Sequence, residues 1–371
     1  MTMETQPDVR DDHTPVVAEI DNGLIVPIPD DTDQMQPLNC GVLDDKGEVV
    51  DHAITWRNNT QFSLPPRTPL PSEITEIGGT VMFGGLMFGH FGHFLVETTA
   101  RLWAYEQVQD KIDAIVFVPK VQRNVNHVLN TYAPFMRLLG IEAPLFNIQK
   151  PARYDRVLVP QQGFGMFGMI EGLPAYRQFM RDRMGLKIAD DGARKLYVSR
   201  SALPHQRGGL LGEERIEEHL TAEGYRVFHP QKHSLDEQLA AYKSADFIIS
   251  PDGSPLHMAA LVAKPTAKIA VIARRPDVAH QFELQFRAFC GIETVTIDAL
   301  TKHWIPVNHA RPSRMSYGEL DLGMVYNTLK DNGLIAGNTP WSALSGSEHA
   351  EIMSALEERQ RVGFKLYQPA A

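Results

Sequence analysis

Short apolar runs alternate with longer amphipathic stretches along most of this chain. Apolar runs of roughly four to eight residues between turn formers are typical of buried strands, and a period of about 3.6 residues is typical of helices. The pattern predicts strands over 80–83, 113–119, 156–160, 195–199, 225–228, 246–250 and 267–273. It predicts helices over 93–109, 124–139, 175–184, 213–223, 234–244, 256–262 and 348–361. Because strands and helices follow one another in turn, we expect a mostly parallel α/β protein.

The alternation is most regular in the second half of the chain. Right-handed crossovers between successive parallel strands build a Rossmann-like sheet. We therefore expect a Rossmann-like domain over 194–310, joined by a polar linker at 187–193 to an α/β domain over 37–186. The remaining parts are a flexible N-terminal segment over 1–36 and a C-terminal extension over 311–371, whose helix packs back on the body.

The stretch 248–257 carries a turn between a strand and a helix. Asp252-Gly253 is a turn signal, and Ser254 followed by Pro255 is typical of a helix N-cap and the first helical residue. A helix start presents free N–H groups and partial positive charge, which suit a phosphate or diphosphate. An ordinary connection between a strand and a helix is the alternative.

Two arginines follow the predicted strand 195–199. Arg200 comes directly after it, and Arg207 lies in a loop beside Gly208-Gly209. Because the carboxyl ends of neighbouring parallel strands meet at one edge of a sheet, we expect both arginines and the Ser254 helix start to converge on one anion. Arginine suits this role because its fork binds two phosphate oxygens and keeps its charge. Two ordinary surface arginines are the alternative.

A histidine and a glutamate follow a glycine-rich segment at helical spacing. His93 and Glu97 are separated by one helical turn, and Arg101 lies one turn further on, so all three share a face of the predicted helix. A neighbouring carboxylate orients a histidine ring and raises its basicity, which makes the pair a candidate general base. A surface ion pair is the alternative.

Signals for a metal site are weak. His90 and His93 have no third ligand at zinc spacing. Asp31-Thr32-Asp33 looks like an Asp-x-Asp metal motif, but it follows no strand, so we assign it to a solvated loop. We therefore expect neither a metal ion nor a cofactor.

Composition narrows the class of protein. The chain has 371 residues, of which 43% are hydrophobic and 22% charged, as in soluble proteins of two domains. The formal net charge of −9, with no Lys/Arg-rich run, disfavours a nucleic-acid partner. Cys40 and Cys290 provide no disulfide framework, and no signal peptide or membrane-spanning run is evident. We expect a cytoplasmic protein, with peripheral membrane association left open.

Three segments resemble motifs of glycosyltransferase family 61, in the same order. His90–Glu97, followed by Arg101, is similar to the family's N-Y-G-H-F-x-x-E…R-L segment. Leu196–Arg200 with Arg207 resembles its I-Y-I-S-R…R segment, and Ile249–Leu256 resembles its I-G-P-H-G-A-x-L turn. The similarity is to the bacterial capsule-type branch of the family, which has a GT-B fold.

The resemblance covers roughly 88–272, and three positions depart from the family pattern. Asp252 stands where the family usually has histidine, His90 where it often has asparagine, and Phe91 where tyrosine is common. If the usual histidine touches the donor or moves a proton, either Asp252 acts differently or the activity is altered or lost.

The resemblance implies a GT-B-like α/β fold with two Rossmann-like domains facing a cleft. It implies an inverting glycosyltransferase that moves a sugar from a nucleotide-sugar donor to a glycan or other hydroxyl acceptor, in polysaccharide biosynthesis. The domain over 37–186 would lie on the acceptor side, and the domain over 194–310 would bind the donor.

The implied roles fall on two groups of residues. With arginines in place of a metal, the residues expected at the donor diphosphate are Arg200, Arg207, Gly253 and the N–H groups of Ser254 and Leu256. For the base we expect His93 supported by Glu97, with Glu97 itself second and Asp252 third. The residues expected on the acceptor side of the cleft are His90, Gly92 and Arg101.

Two other classes of protein remain open. One is a catalytically inactive protein that binds nucleotide or glycan on the same scaffold, which the departure at Asp252 favours. The other is an α/β hydrolase or phosphatase, which would need a nucleophile elbow or a metal site, and the chain has no Gly-x-Ser-x-Gly sequence.

Overall fold

The computed structural model describes residues 15–29, 38–184, 188–190, 192–203, 207–276 and 279–368. The chain divides into two compact units, Met1–Lys187 (unit 1) and Ile188–Ala371 (unit 2). The Asp31–Asp33 segment and part of the predicted linker at 187–193 lie outside the described residues. The α/β class predicted from the sequence is confirmed in both units.

Unit 1 is built from short strands and a few helices. Its strands are β1 (Val17–Asp21), β2 (Leu24–Val26), β3 (Leu38–Asn39), β4 (Gly41–Leu43), β5 (Trp56–Arg57), β6 (Thr60–Gln61), β7 (Ser63–Leu64), β8 (Thr75–Glu76), β9 (Thr80–Met87), β10 (Ala114–Pro119), β11 (Leu145–Asn147), β12 (Ala152–Arg153) and β13 (Arg156–Pro160). Its α-helices are α1 (Phe91–Glu97), α2 (Tyr105–Val108), α3 (Val125–Leu138) and α4 (Pro174–Met184). Its 3-10 helices are Asp51–Ala53, Pro71–Glu73, Thr98–Ala104, Gln109–Lys111 and Phe167–Met169.

The main sheet of unit 1 has the strand order β1-β13-β9-β10-β11 within the described residues. The strands β13, β9, β10 and β11 run parallel, and β1 joins β13 antiparallel at the edge. Side chains on both faces of the central strands are buried, as Val116 and Phe117 illustrate. Burial on both faces is typical of parallel sheets covered by helices, and it explains why these strands are continuous apolar runs in the sequence.

Two glycines allow β9 to bend before it reaches the candidate site. The pairing register of β9 with β10 shifts between Val116 and Phe117, which places Gly84 in a bulge. A Cβ atom at Gly84 would lie 2.4 Å from the Phe117 ring, and Gly85 has a φ of 86°. Glycine is the residue that meets both requirements without strain.

The prediction that residues 1–36 form a flexible segment is wrong for the part that the structure describes. Residues 17–21 form β1, and residues 24–26 form β2 in a second sheet of order β4-β2-β12-β8. The physical reason is the apolar run Leu24–Ile28, whose buried side chains include Leu24 and Ile25. Burial of such side chains offsets the entropy lost in ordering the chain.

The single helix predicted over 93–109 is interrupted in the structure. The α1 helix ends at Glu97, and Thr98–Ala104 continues as a 3-10 helix. The Thr98 hydroxyl donates to the Leu86 carbonyl at 3.0 Å and accepts a hydrogen bond from the Phe88 N–H at 3.0 Å. This tie to the end of β9 competes with regular helical geometry, as threonine hydroxyls often do.

Unit 2 shows the regular alternation that the sequence predicts. Its strands are β14 (Lys195–Val198), β15 (Arg226–Phe228), β16 (Phe247–Pro251), β17 (Lys268–Ile272), β18 (Val295–Ile297), β19 (Leu300–Pro306), β20 (Tyr317–Leu320) and β21 (Phe364–Leu366). Its α-helices are α5 (Glu213–Ala222), α6 (Leu235–Ser244), α7 (Ser254–Val262), α8 (Ala279–Cys290), α9 (Leu322–Asp331) and α10 (Gly346–Gln360), and Pro230–Lys232 is a 3-10 helix.

The main sheet of unit 2 is parallel, with the order β15-β14-β16-β17-β18 in the part of the chain that the structure describes. The chain first moves from β14 to β15 and then returns to the other side of β14. The strand order therefore reverses between β14 and β16. In open α/β sheets this switch point leaves a crevice at the carboxyl ends of the strands, where ligands bind.

The C-terminal residues of unit 2 form one sheet with residues that precede them. The strands β19, β20 and β21 pair antiparallel, so the predicted division at 310/311 falls between two strands of one sheet. The α10 helix buries Leu356 against Leu211 and Tyr317. It begins with a capping box between Ser345 and Glu348.

None of the helices within the described ranges combines the length and the apolar character that crossing a bilayer requires.

Candidate functional site

The bend between β9 and α1 in unit 1 is held from both sides. Besides the Thr98 tie to Phe88, the Tyr132 hydroxyl donates to the Gly89 carbonyl at 2.8 Å. The Tyr132 ring also stacks on Phe94, with a centroid distance of 3.8 Å. These contacts fix the entry of the chain into α1, and thereby the position of His93 within it.

His93, Glu97 and Arg57 form a hydrogen-bonded chain in unit 1. His93 Nδ1 lies 2.7 Å from Glu97 Oε2, while Arg57 donates through Nε to Oε1 at 2.5 Å and through Nη2 to Oε2 at 2.6 Å. The Glu97 side chain is fully buried, whereas that of His93 is 37% exposed. Burial alone would raise the pKa of Glu97, but the hydrogen bonds from His93 and Arg57 outweigh it and lower that pKa overall.

This arrangement selects one tautomer of His93. An ionised carboxylate can only accept hydrogen bonds, so the His93 Nδ1 atom that faces Glu97 carries a proton. In the neutral ring Nε2 then has its lone pair available as an acceptor. The pair is arranged so that Nε2 can take a proton while the Glu97 charge stabilises the resulting imidazolium.

Aromatic rings and a lysine surround this chain of groups. The Arg57 guanidinium lies 3.6 Å from the Phe62 ring centroid, and the Phe88 ring stacks on His93 at 5.5 Å. Lys120 Nζ lies 5.6 Å from the Phe62 and Phe88 ring centroids. Burial lowers the pKa of Lys120, and the charge of Arg57 lowers it further, against the opposing charge of Glu97.

The predicted cleft residues of unit 1 have different surroundings. His90 is exposed and lies edge-on to His93, with a ring-centroid distance of 5.3 Å. Gly92 is buried within α1. Arg101 is 1% exposed and donates to the carbonyls of His52, Ile54 and Pro160, which makes it a structural tie. The prediction that Arg101 shares a face with His93 and lines the cleft is therefore wrong, because the helix is interrupted between them.

Arg200 in unit 2 lies at the switch point of the parallel sheet. It follows β14, and its Nη1 atom would lie 2.7 Å from a Cβ atom built at Gly253, so the guanidinium contacts the start of α7. Arg200 Nη2 donates to the Gly208 carbonyl at 3.0 Å, and the Arg200 backbone N–H donates to Glu213 Oε1 at 2.7 Å. The sequence prediction that Arg200 and this turn converge agrees with these contacts.

Arg207 does not join Arg200 through any contact that the structure gives. Its side chain is exposed, and its carbonyl accepts a hydrogen bond from the Tyr317 hydroxyl at 3.0 Å. Its predicted contact with an anion stays a prediction.

The start of α7 differs from the prediction in two details. The N-cap is Gly253 rather than Ser254, and no side chain caps the helix. The Leu256 N–H donates to the Gly253 carbonyl at 3.0 Å, so its predicted role as a donor to a phosphate is wrong. Because Pro255 has no N–H, Gly253 and Ser254 are the residues that supply amides at this helix start.

Asp252 is fully buried and bound by two arginines. Its Oδ2 accepts the Arg274 backbone N–H at 2.8 Å, and its Oδ1 lies 3.3 Å from both Arg274 Nε and Arg275 Nη2. A carboxylate committed in this way cannot reach an acceptor hydroxyl. The third-ranked assignment of Asp252 as the base is therefore corrected to a structural role.

Glu213 is a buried carboxyl group next to Arg200. Besides the Arg200 N–H, its Oε1 accepts the Tyr197 hydroxyl at 3.0 Å. Burial raises the pKa of Glu213 to about 7, although the Arg200 hydrogen bond and charge act in the opposite direction. Burial thus favours the protonated form of Glu213.

Sequence reasoning missed several members of these clusters: Arg57, Lys120, Glu213, Arg274 and Arg275. Arg57 precedes the turn residues Asn58-Asn59, whose φ angles are 48° and 57°, so this Asn-Asn pair is an overlooked hairpin signal. Arg274-Arg275 follows β17 much as Arg200 follows β14, and the rule applied to Arg200 would have found it.

Within the described ranges, no group of three or more His, Cys, Asp or Glu side chains is arranged to hold a metal ion.

Residues of both units match a known protein family. The family model described as Glycosyltransferase 61 matches residues 91–269, which begin at α1 and end within β17. The match includes His93, Glu97 and Arg200 and ends before Arg274. No curated protein matches the chain.

Proposed function

We propose that the chain is an inverting glycosyltransferase that uses a nucleotide-sugar donor. The match of residues 91–269 to glycosyltransferase family 61, which the sequence motifs predict, supports glycosyltransferase activity. The observation that carries the proposal is the contact of Arg200 with Gly253 at the switch point of the unit 2 sheet. A cation beside a helix start is suited to the diphosphate that leaves when the sugar is transferred.

The proposed reaction is one in-line displacement at the anomeric carbon of the donor sugar. His93 Nε2 takes the proton of the acceptor hydroxyl, and the acceptor oxygen forms the new bond to the anomeric carbon. The bond between that carbon and the donor phosphate oxygen breaks, and its electron pair leaves with the diphosphate. A single displacement inverts the configuration. Glu97, held by Arg57, stabilises the His93 imidazolium.

The leaving diphosphate is stabilised by fixed positive charge. Arg200 and the amides of Gly253 and Ser254 are the groups that support this role, and Arg207 is proposed with them on the sequence pattern alone. We propose that these groups act in place of a metal ion.

The wider setting of the reaction is also a proposal. The resemblance to the capsule-type branch supports a GT-B arrangement and a role in polysaccharide biosynthesis. The parallel sheet in each unit is compatible with an acceptor-side domain over 37–186 and a donor domain over 194–310. The two widely spaced cysteines support a reaction in the cytoplasm, where peripheral contact with a membrane would bring the enzyme to a glycan acceptor.

The proposal is tested by thermal unfolding with UDP, GDP, CMP and dTDP, each with and without EDTA. A ligand at about 100 times its Kd adds about 2.7 kcal/mol to the free energy of unfolding. We expect one nucleotide to raise the unfolding temperature equally with and without EDTA. Arg200→Ala should remove this rise and lower the transfer rate by at least about 10²-fold. Arg226→Ala, at an exposed arginine of the same unit, is the control. Full transfer activity in Arg200→Ala would contradict the proposed donor site.

A catalytically inactive binding protein is the second candidate. The departure at Asp252 favours it, but Asp252 in the structure pairs with Arg274 and Arg275, which is compatible with an active site. Nucleotide binding without release of free nucleotide, across a broad set of hydroxyl acceptors, would support the inactive protein over the transferase.

A further inference from the structure

Three arginines and an aspartate follow three neighbouring strands of the unit 2 sheet, at the same edge. Arg200 follows β14, Asp252 follows β16, and Arg274-Arg275 follows β17. The pairing of β14 with β16 and of β16 with β17 makes these three carboxyl ends neighbours. The arginine pair lies outside the segment that the family model matches, so nothing in that match assigns it a role.

Positive charge exceeds negative charge in this cluster. The guanidinium groups of Arg200, Arg274 and Arg275 outnumber the carboxyl groups of Asp252 and Glu213, and burial disfavours the charged form of Glu213. Burial lowers the pKa of Arg274 to about 9, and the charge of Arg200 contributes to this shift. The two guanidinium groups therefore repel each other. Keeping unpaired cations away from water is costly unless an anion joins them.

Arg274 and Arg275 each have one buried nitrogen without a hydrogen-bond partner among the described residues. The Arg274 side chain is 5% exposed, and its Nη1 atom is buried without a partner among the described residues. The same holds for Arg275 Nε, although the Arg275 side chain is 28% exposed. Arg274 Nε donates to the Asp252 carbonyl at 2.9 Å, directly before the start of the α7 helix. The free donor of Arg274 therefore lies beside the helix start that Arg200 contacts.

We propose that Arg274 and Arg275 join Arg200 in binding the diphosphate of a nucleoside diphosphate sugar, and that Asp252 is the residue that positions both. This inference rests on the proposed function, because it extends the donor site. Each phosphate of a diphosphate offers oxygens to arginine forks, so two phosphates can engage more of the three arginines than one phosphate can.

Asp252 gains a specific task in this proposal. It binds the Arg274 backbone and both guanidinium groups, so it sets the positions of these arginines before the donor arrives. This explains how an aspartate serves where the family usually has histidine.

The test compares phosphate probes on the full-length protein. Inorganic pyrophosphate, orthophosphate, and the nucleoside diphosphate and monophosphate of the base selected by the wild type are titrated by calorimetry. The variants are Arg275→Ala, Arg275→Lys and Asp252→Asn, with Arg287→Ala at an exposed position of α8 as the control. Arg275 is chosen over Arg274 because it is partly exposed and its truncation leaves less buried charge unpaired. Unfolding without ligand verifies that each variant is folded.

We expect the wild type to bind pyrophosphate at least about tenfold more tightly than orthophosphate. Arg275→Ala should weaken the binding of pyrophosphate and of the nucleoside diphosphate by about 10- to 100-fold, and the binding of the monophosphate by less. Arg275→Lys should have an intermediate effect. Folded Asp252→Asn should also bind the nucleoside diphosphate more weakly than the wild type does.

The outcomes separate this inference from the proposed function. If Arg200→Ala abolishes nucleotide binding while Arg275→Ala binds the diphosphate as tightly as the wild type, the arginine pair has no part in the site and the donor site stands. If the wild type binds the nucleoside monophosphate more tightly than the nucleoside diphosphate, these arginines do not bind a diphosphate and the inference is overturned. If the wild type binds neither nucleotide nor pyrophosphate, the donor site and its extension fail together.

Discussion

Each unit has a cluster of buried charged groups, and the two clusters differ in their partners. In unit 1 the Glu97 carboxylate binds Arg57 and His93, and the charge of Lys120 interacts with those of Glu97 and Arg57. In unit 2 the Asp252 carboxylate is bound by Arg274 and Arg275, Arg200 follows the neighbouring strand, and burial raises the pKa of the Glu213 carboxyl to about 7. A carboxylate that is hydrogen-bonded to a histidine suits the transfer of a proton, because its charge stabilises the imidazolium that forms. A cluster with excess positive charge suits an anion that arrives with a ligand.

The comparison also separates two uses of a buried carboxylate. Glu97 contacts the partly exposed His93, whereas the charged partners of Asp252 among the described residues are Arg274 and Arg275. The same residue class therefore supports opposite chemistry in the two units. The difference lies in the partners rather than in the carboxylate itself.

The largest effect is expected from breaking the proton-transfer pair. His93→Ala and Glu97→Gln should each lower kcat by at least about 10²-fold, because one removes the base and the other removes the charge that stabilises its protonated form. Steady-state transfer rates with the donor identified by thermal unfolding measure this effect. His127→Ala, on the exposed surface of α3, is the control. Loss of activity in Glu97→Gln alone would move the base from His93 to Glu97.

A smaller effect is expected from Arg57→Lys. Lysine keeps the charge but loses the two-pronged bond to Glu97, so the orientation of His93 is held less firmly. We expect kcat to fall about tenfold with little change in the KM for the donor, and the pH profile of kcat to shift. Arg67→Lys, at an exposed arginine, should leave all three unchanged. A change in donor KM alone would place Arg57 outside the proton-transfer pair.

An effect on stability, with no expected change in rate, concerns Glu213. The pKa of Glu213 is raised from 4.5 to about 7, so between these pH values folded protein holds a proton that unfolded protein has released. The free energy of unfolding should therefore fall as pH rises through this window, by on the order of 1–3 kcal/mol.

Glu213→Gln should flatten this part of the pH profile, whereas Glu214→Gln, at the exposed neighbouring position, should not. Urea denaturation at several pH values from 4.5 to 7.5 measures both variants. If the free energy of unfolding of Glu213→Gln depends on pH as in the wild type, Glu213 is ionised across this window. Its carboxylate would then place a negative charge beside Arg200.

Local patterns allowed much of the fold to be predicted. The helix capped by Ser234 and Glu237 begins as predicted, because a capping box depends on residues three positions apart. The His93–Glu97 pair was also predicted, since helical spacing brings such residues together. Predictions failed where a distant segment intervened. The helix after Glu97 is interrupted by a tie to Leu86, and Arg101 turns inward to distant carbonyls.

The sequence by itself determined the alternation of strands and helices, the strand-turn-helix unit around Asp252-Gly253, and the pairing of His93 with Glu97, since each depends on neighbours in the chain. The tertiary structure decided which charges meet: Arg57 reaches Glu97 across 40 residues, and Arg274 reaches Asp252 across 22. A buried carboxylate needs a partner to offset its lost hydration, and packing rather than sequence spacing selects which partner is within reach.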